Sequence, residues 1–571
     1  MKGKIILLGG VAGLIFASVY YYISLPAINI HSASFWSFII TLLIVALGVF
    51  LIRANKGSLE VRGQQVYLNE IQLTKPVKVI GGVLIAVVAF YIIGSLLGSP
   101  IINADKYQQL LTIVQEDFAE DVKEVDYDTI PILDKNTASL LGDRKMGSMV
   151  DFVSQFEAAN DYTQINYQGT PVRVTPLEYA STIKWLTNQA DGIPAYITID
   201  MTTQDTEVVM LDEGIKYSKS ELFNRNIYRH LRFNFPTYIF DDQIFFELDE
   251  EGTPYWVCPV KTFNIGLFGG QTVGSVVIVN AVTGECVDYE LDELPEWVDK
   301  VYRAELLVEL YDYSGLYVNG FWNSILSQKG CLQTTNDYNY VVMDDDLWVY
   351  TGVTSLGADQ SNVGFVLMNQ RTMDTRYYVV EGAIEDSAMQ SAEGQVQNLG
   401  YDSTFPLLIN IGGEPTYFMA LKDNSGLVKM YAMVNVSKYQ LVATGDTVKE
   451  CDENYRILLS ENGIENVLLA VEDEVESLTE VEPETLVEEE VVEEIVILDA
   501  TGIILDTFTL IVDGDSHVYV FLEDSEDIFA VNLTQAGLVE ARNYQSGDSV
   551  WISYEESADA VKKVVDIALN S

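Results

Sequence analysis

Three uncharged apolar stretches occupy most of the first 102 residues: 5–25 (IILLGGVAGLIFASVYYYISL), 35–52 (FWSFIITLLIVALGVFLI) and 79–102 (VIGGVLIAVVAFYIIGSLLGSPII). A helix of about 20 residues crosses the roughly 30 Å hydrocarbon layer, so each stretch is long enough to span a bilayer, the middle one narrowly. A cleaved signal peptide is the rival reading of the first. Lys2 and Lys4 suit its charged start, but the stretch ends in SVYYYISLP, without the small-residue cleavage pattern. Loop charge sets the expected orientation. The connector 26–34 has no Lys or Arg, whereas 53–78 carries Arg53, Lys56, Arg62, Lys75 and Lys78. The positive-inside rule therefore places the N-terminus and loop 53–78 in the cytoplasm, and everything after the third span outside. The spans hold no Asp, Glu, Lys or Arg, which argues against a pump or coupled transporter and for a three-helix anchor over 1–104. The loop sequence SLEVRGQQVYLNEIQL alternates around an R-G turn and predicts a small hairpin.

Beyond the anchor the chain is strongly acidic. Of 571 residues, 84 are acidic and 33 basic, a net charge of −51. That surface repels nucleic acid, which needs a basic footprint, so the expected partners are the lipid bilayer and another protein. Helical patterns are predicted at 105–122, 146–158, 176–190 and 218–232, and a strand at 195–201. The fourth helix is announced by a capping box, Ser218 with Glu221 three positions on. Two hairpins come after it, 244–248 with 255–260 around the turn 249–252, and 273–280 with 286–290 around 281–285. The fold class expected is α+β, with helix-plus-antiparallel-sheet modules behind the three helices. The regions are 105–215, 216–298 and 299–466, an acidic linker at 467–495, and a small OB-like β-barrel at 496–571 with a closing helix at 557–569.

The hairpin sequence VVIVNAVTGECVDY, with the strand YWVCPV before it, resembles the PepSY domain, a cystatin-like fold with a V-x-V-D-A-x-T-G-E signature on its last hairpin. Ala281, Thr283, Gly284 and Glu285 match, and Asn280 replaces the usual Asp. The resemblance covers about 218–292. A second copy is expected at about 385–445, because 415–436 echoes 236–260 in its Pro-Thr-Tyr and D-x-x-G elements. It implies restraint of an extracellular peptidase, since some PepSY domains accompany peptidases as inhibitory propeptides.

Catalytic motifs are sparse. There are three histidines, His31, His230 and His517, with no H-E-x-x-H and no G-x-S-x-G. LFGGQTVG at 267–274 lacks the lysine and helix of a phosphate loop and is read as a flexible tip. Runs 344–346 and 513–515 read as solvated turns rather than metal sites, and no cofactor is expected. Cys258, Cys286, Cys331 and Cys451 either form two bridges or stay as buried thiols. One cluster departs from the acidic background: Lys216, Lys219, Arg225, Arg229, His230 and Arg232. Arg225, Arg229 and Arg232 are spaced to share a helix face, and with Lys219 they either pair with the protein's own groups or face an anionic partner. The function expected is a non-enzymatic, membrane-anchored envelope protein, bacterial in type, that binds or regulates a partner. An accessory subunit of a membrane complex and a hydrolase with a carboxylate site are the alternatives.

Overall fold

The computed structural model describes residues 2–55, 59–62, 65–68, 73–124, 131, 133–343, 346–357, 361–464, 497–512, 515–522, 525, 528–532, 548–555 and 561–569. The acidic run 467–495 lies outside the described residues, as do 344–345 and 513–514. The chain is a mixed α+β protein in two compact units, Met1–Thr479 and Glu480–Ser571.

Unit one begins with helices Lys2–Ser24, Ala33–Ala54 and Lys75–Leu97. The second and third are long and apolar enough to cross a membrane. Ser32 caps the second by accepting from the Phe35 N–H. The third stops at Gly98, short of the predicted end, because Pro100 opens a separate helix, Pro100–Gln108. Leu59–Arg62 and Gln65–Leu68 pair as the small antiparallel hairpin expected between the second and third helices.

Four modules of one plan come next: a helix, then an antiparallel meander whose strands pair in chain order. The first has helix Lys135–Ser148 and main strands Thr170–Tyr179, Ile193–Asp200 and Thr206–Ile215. The second has helix Ile227–Asn234 and strands Phe245–Leu248, Pro254–Ile265, Gly269–Asn280 and Cys286–Glu290. The third has helix Ala304–Leu316 and main strands Asp346–Ser355, Gly364–Asn369 and Thr375–Tyr378. The fourth has helix Glu385–Gln395 and main strands Glu414–Lys422, Val428–Asn435 and Val442–Gly445. In the first, third and fourth, the leading edge is split into two short strands that both pair with the first main strand.

The same turn closes the last hairpin of three modules. Asp200 Oδ1 accepts the N–H groups of Thr202 and Thr203 at 2.8 and 2.9 Å. Asn280 Oδ1 accepts those of Val282 and Thr283 at 3.0 and 2.8 Å, and Asn369 Oδ1 those of Arg371 and Thr372 at 2.8 and 2.9 Å. The residue four positions on takes a positive φ each time: Gln204 at 66°, Gly284 at 78° and Met373 at 67°. A short polar side chain that bonds its own backbone two and three residues on is what starts such a turn.

The sheets stack. Val174 and Ile197 of the first face Trp256, Cys258 and Val277 of the second. The other face of the second, Val257, Val276 and Ile278, packs on Leu307 and Leu310 and on Val349 and Val366 of the third. Trp348, Tyr350 and Phe365, on the far side of the third, meet Tyr417, Met419 and Val434 of the fourth. Helix Val448–Glu461 covers the last face through Cys451, Tyr455 and Leu459. Sheets buried on both faces need apolar residues at successive positions, hence the near-continuous run VGSVVIVN.

Several expected helices are corrected. Region 105–122 is a helix end, the strand Ile113–Glu116 and the short helix Phe118–Asp121. That strand pairs parallel to Thr375–Tyr378, and Asp121 takes Arg376 Nη1 at 3.0 Å, so the segment after the N-terminal helices belongs to the third sheet. Regions 146–158 and 176–190 each break where a sheet takes over, at Phe156–Ala158 and through Tyr179 respectively. The Pro-Thr-Tyr at 236–238 lies in a loop, whereas its echo at 415–417 lies in strand Glu414–Lys422. The D-x-x-G turns are alike: Asp249 Oδ1 accepts from Glu251 and Thr253, and Asp423 Oδ1 from Ser425 and Leu427.

The described residues of unit two form a closed barrel of five strands. Ile497–Val512 pairs with both Asp515–Leu522 and Ser549–Glu555, and Ile528–Asn532 pairs parallel to Val561–Leu569. The helix expected at 557–569 is therefore wrong over 561–569. Its Val-rich end closes the barrel as a strand, placing Val564 and Ile567 in the core.

Candidate functional site

The basic cluster does not form one helix face. A 3-10 turn, Phe223–Arg225, interrupts it, and the helix starts only at Ile227 with Asn226 as its cap. Ser218 Oγ does accept the Glu221 N–H at 3.2 Å, but the Glu221 carboxyl turns into the core instead of completing the box. There it accepts Tyr179 Oη–H at 2.8 Å and Trp185 Nε1–H at 2.7 Å.

Each of the four cations proposed from sequence has a partner within the chain. Lys219 pairs with Asp161 Oδ2 at 2.7 Å, and Arg225 donates to the Gln189 carbonyl. Arg229 donates to Phe223 O at 2.7 Å and lies 4.4 Å over the Tyr22 ring of the first helix. Arg232, 8 % exposed, donates to Leu25 O at 3.0 Å and Tyr238 O at 2.6 Å, with longer bonds to Phe235 O and Pro236 O. Leu25, which ends the first helix, has a φ of +46°. The second module is thus clamped onto the end of an apolar helix.

A second contact repeats this junction on the other side of the module. The tip between Pro254–Ile265 and Gly269–Asn280 is a tight turn with Gly266 and Gly270 both at φ +62°, not a loose loop. Leu267 O accepts His31 Nδ1–H at 2.8 Å, and Phe268 packs against Tyr91 with ring centroids 5.1 Å apart. Any side chain at Gly269 would meet the Gly98 carbonyl and the Tyr107 hydroxyl, which is why glycine stands there. The tip therefore seats on the end of the third helix.

The thiols form no bridge; all four are free. Cys258 and Cys286 lie on strands separated by Gly269–Asn280, so their backbones are about 10 Å apart at ordinary strand spacing, beyond disulfide reach. Cys331 donates to Leu316 O and Cys451 to Ala443 O, in separate modules. His230 approaches Cys286 at 3.3 Å, but its Nε2 also bonds Gly284 O at 2.8 Å. Burial and the neighbouring Glu285 push the Cys286 thiol up to about 11, so this pair is no activated nucleophile. We expect dithiothreitol to leave the Tm unchanged, and Cys258 and Cys451 to resist a thiol reagent until the chain unfolds. A fall in Tm on reduction would contradict this assignment.

Sequence reasoning missed the most distinctive polar site. A cavity of about 530 Å³ opens where all four modules meet. The first contributes Arg173, the second Phe245, the third Lys300 and Tyr340, and the fourth Phe405 and Lys422. Lys422 is held by Asp134 Oδ2 at 2.7 Å, and Arg303 Nε lies 2.9 Å from Asp241 Oδ1 in an ion contact too bent for a hydrogen bond. Arg173 and Lys300, each 6 % exposed, make no ion pair within 4 Å among the described residues. Among the described residues, Arg173 donates only to neutral oxygens, Leu133 O at 3.2 Å and Gln164 Oε1 at 3.5 Å. The Lys300 ammonium lies over the Tyr340 ring at 4.3 Å.

The nearby acids are engaged elsewhere. The Glu247 carboxyl takes the backbone N–H groups of Asp299 and Lys300 at 2.9 and 3.1 Å, and Asp299 takes that of Asn166 at 2.6 Å. Burial, then repulsion from Arg173, brings Lys300 down to about 7 against the longer-range pull of Glu247, Asp299 and Glu305, and burial brings Arg173 down to about 10 against that of Tyr340 and Asp134. The starts of helices Lys135–Ser148 and Ala304–Leu316 also lie on the wall, adding the positive ends of two helix dipoles. The sequence signal is slight: one cation amid apolar strand residues in VRV, another in VDKVYR. Among the described residues, no three His, Cys, Asp or Glu side chains group to hold a metal.

No family model matches the sequence, and no curated protein matches it. Solved structures with some likeness include a Synechocystis apocarotenoid oxygenase, 8% identical, with 73% of this chain and 65% of that one covered at a TM-score of 0.13. A chimera titled ACO/RPE65 is 7% identical, with 72% and 64% covered at a TM-score of 0.13. The chain spans a little under two thirds of each, and overlap at that level carries no argument about fold or activity.

Proposed function

We propose that the chain is a non-enzymatic, membrane-anchored protein of a bacterial cell envelope, whose outer modules bind or regulate a partner. The three apolar helices span the bilayer, the N-terminus and loop 53–78 are cytoplasmic, and the modules and barrel lie outside. The observation that carries this reading is the double seating of the second module on the helix ends, through Arg232 on Leu25 and through Leu267 on His31. Both contacts fall on the connector between the first and second helices, Phe268 reaches Tyr91 of the third, and together they would hold the modules at a fixed height above the membrane, opposite the basic loop. Phe233, 52 % exposed beside Tyr21 and Tyr22, suits the interfacial belt.

The PepSY-like reading of 218–292 gains support from the helix, the meander and the turn at Asn280, and the recurrence of that plan extends it to all four modules. It favours a peptidase outside the membrane as the partner, acting in trans. The barrel is read as OB-like, which its strand order supports: first to second, second to third, third to fifth, fifth to fourth, fourth to first. Cross-linking in intact cells, followed by mass spectrometry, tests the proposal. Capture of a soluble peptidase supports regulation; capture of integral membrane proteins alone favours the accessory-subunit reading. Turnover of peptide or glycan by the purified chain would overturn both.

A further inference from the structure

We propose that the cavity shared by the four modules binds a small organic anion. Its carboxylate or phosphate group lies between Arg173 and Lys300, and its apolar body lies against Phe245, Tyr340 and Phe405. This goes beyond the anchored-binding reading and does not depend on the orientation of the membrane helices.

Three observations converge. First, two cations are buried in one cavity of a chain whose net charge is −51, and neither has an acidic partner within 4 Å among the described residues. Removing an ion from water costs several kcal/mol unless a counter-charge offsets it. Of the other three cations on this wall, Arg303 and Lys422 have their carboxylates and Lys135 is exposed to water, so among the buried cations the lack is specific to Arg173 and Lys300. Second, two helix starts, at Lys135 and Ala304, lie on the same wall, and the second has no side-chain cap. The N–H groups of a first turn favour negative charge. Third, at about 530 Å³ the space is far larger than an inorganic ion needs and falls in the range of small-molecule sites, and its aromatic lining suits an apolar body. Arg173 is the planar donor fit for two oxygens of one anion, and Lys300 the point charge beside it.

The acids on the wall set the limit on charge. Tyr338 Oη–H donates to Glu305 Oε1 at 2.9 Å, and Asp337 lies nearby. A ligand with one anionic group fits this balance better than a polyanion.

The test uses the full chain in detergent, with benzoate and phenyl phosphate as probes and benzyl alcohol as the neutral counterpart. Calorimetry should show saturable, mutually competitive binding of the two anions and none of the alcohol. The tighter probe assigns the source, carboxylic acid or phosphate ester. Lys300→Met should weaken the anion at least tenfold, while Glu305→Gln, which removes a repelling charge, should tighten it several-fold. If Lys300→Met does not fold, the Glu305→Gln result decides. Equal binding of the alcohol, no binding of either anion, unchanged affinity in a folded Lys300→Met chain, or weaker binding in Glu305→Gln would each overturn the proposal.

Discussion

Arg232→Met is expected to lower the stability of the detergent-solubilised chain by roughly 3–5 kcal/mol, and to separate the second module from the end of the first helix. The side chain donates to four backbone carbonyls, of Leu25, Phe235, Pro236 and Tyr238. A hydrogen bond to a charged group contributes about 1.5–3 kcal/mol, and methionine would remove the charged donor from Leu25 O and Tyr238 O, while Phe235 O and Pro236 O keep the N–H groups of Tyr238 and Ile28. The Leu25 carbonyl adds to the effect, since a non-glycine φ of +46° persists only where its surroundings hold it. Lysine should not rescue, because one ammonium cannot reach carbonyls on both sides as a guanidinium fork does. Thermal unfolding, with protease sensitivity between the third helix and the modules, reads both effects. An unchanged Tm would show that Arg232 does not clamp the module.

The second large effect is expected at Glu221. Its side chain is fully buried and joins two modules, accepting from Tyr179 and Trp185 of the first while sitting in the loop that opens the second. Glu221→Ala leaves a hydroxyl and an indole N–H unsatisfied in the core and opens a cavity there. Each unsatisfied donor costs about 1–3 kcal/mol, so a loss of about 3–5 kcal/mol is predicted. Glu221→Gln keeps an acceptor for only one of the two donors and should fall between. If alanine and glutamine were both neutral in chemical denaturation, the bonds would not be holding the modules together.

Sequence pattern exposed some of this and hid the rest for identifiable reasons. The three apolar stretches are legible because each is an uninterrupted uncharged run, and each forms a helix. The Asn280 turn is legible because Gly284 stands at the positive-φ position. The equivalent turns at Asp200 and Asn369 were missed because Gln204 and Met373 occupy that position, so the four-fold plan looked two-fold. Burial on both sheet faces removes the alternation that marks a strand, which blurred the first and third modules. The basic stripe misled for a different reason. The i, i+4, i+7 spacing assumes one helix, but the turn Phe223–Arg225 places Arg225 outside it. The cavity was hidden because its residues come from 131 to 422 and meet only once the four sheets have stacked. No local pattern distinguishes Lys300 from any other lysine; its missing partner does.

The proposed function rests on modules that stand outside a membrane crossed by the N-terminal helices, and cysteine labelling reads that topology directly. In a chain whose four cysteines are replaced by alanine, Arg53→Cys marks the end of the second helix and Ser425→Cys the exposed turn of the fourth module. A membrane-impermeant maleimide should label Ser425→Cys in intact cells, and Arg53→Cys only after permeabilisation. Labelling of Arg53→Cys in intact cells, with Ser425→Cys protected until the membrane is opened, would reverse the topology and refute the proposal.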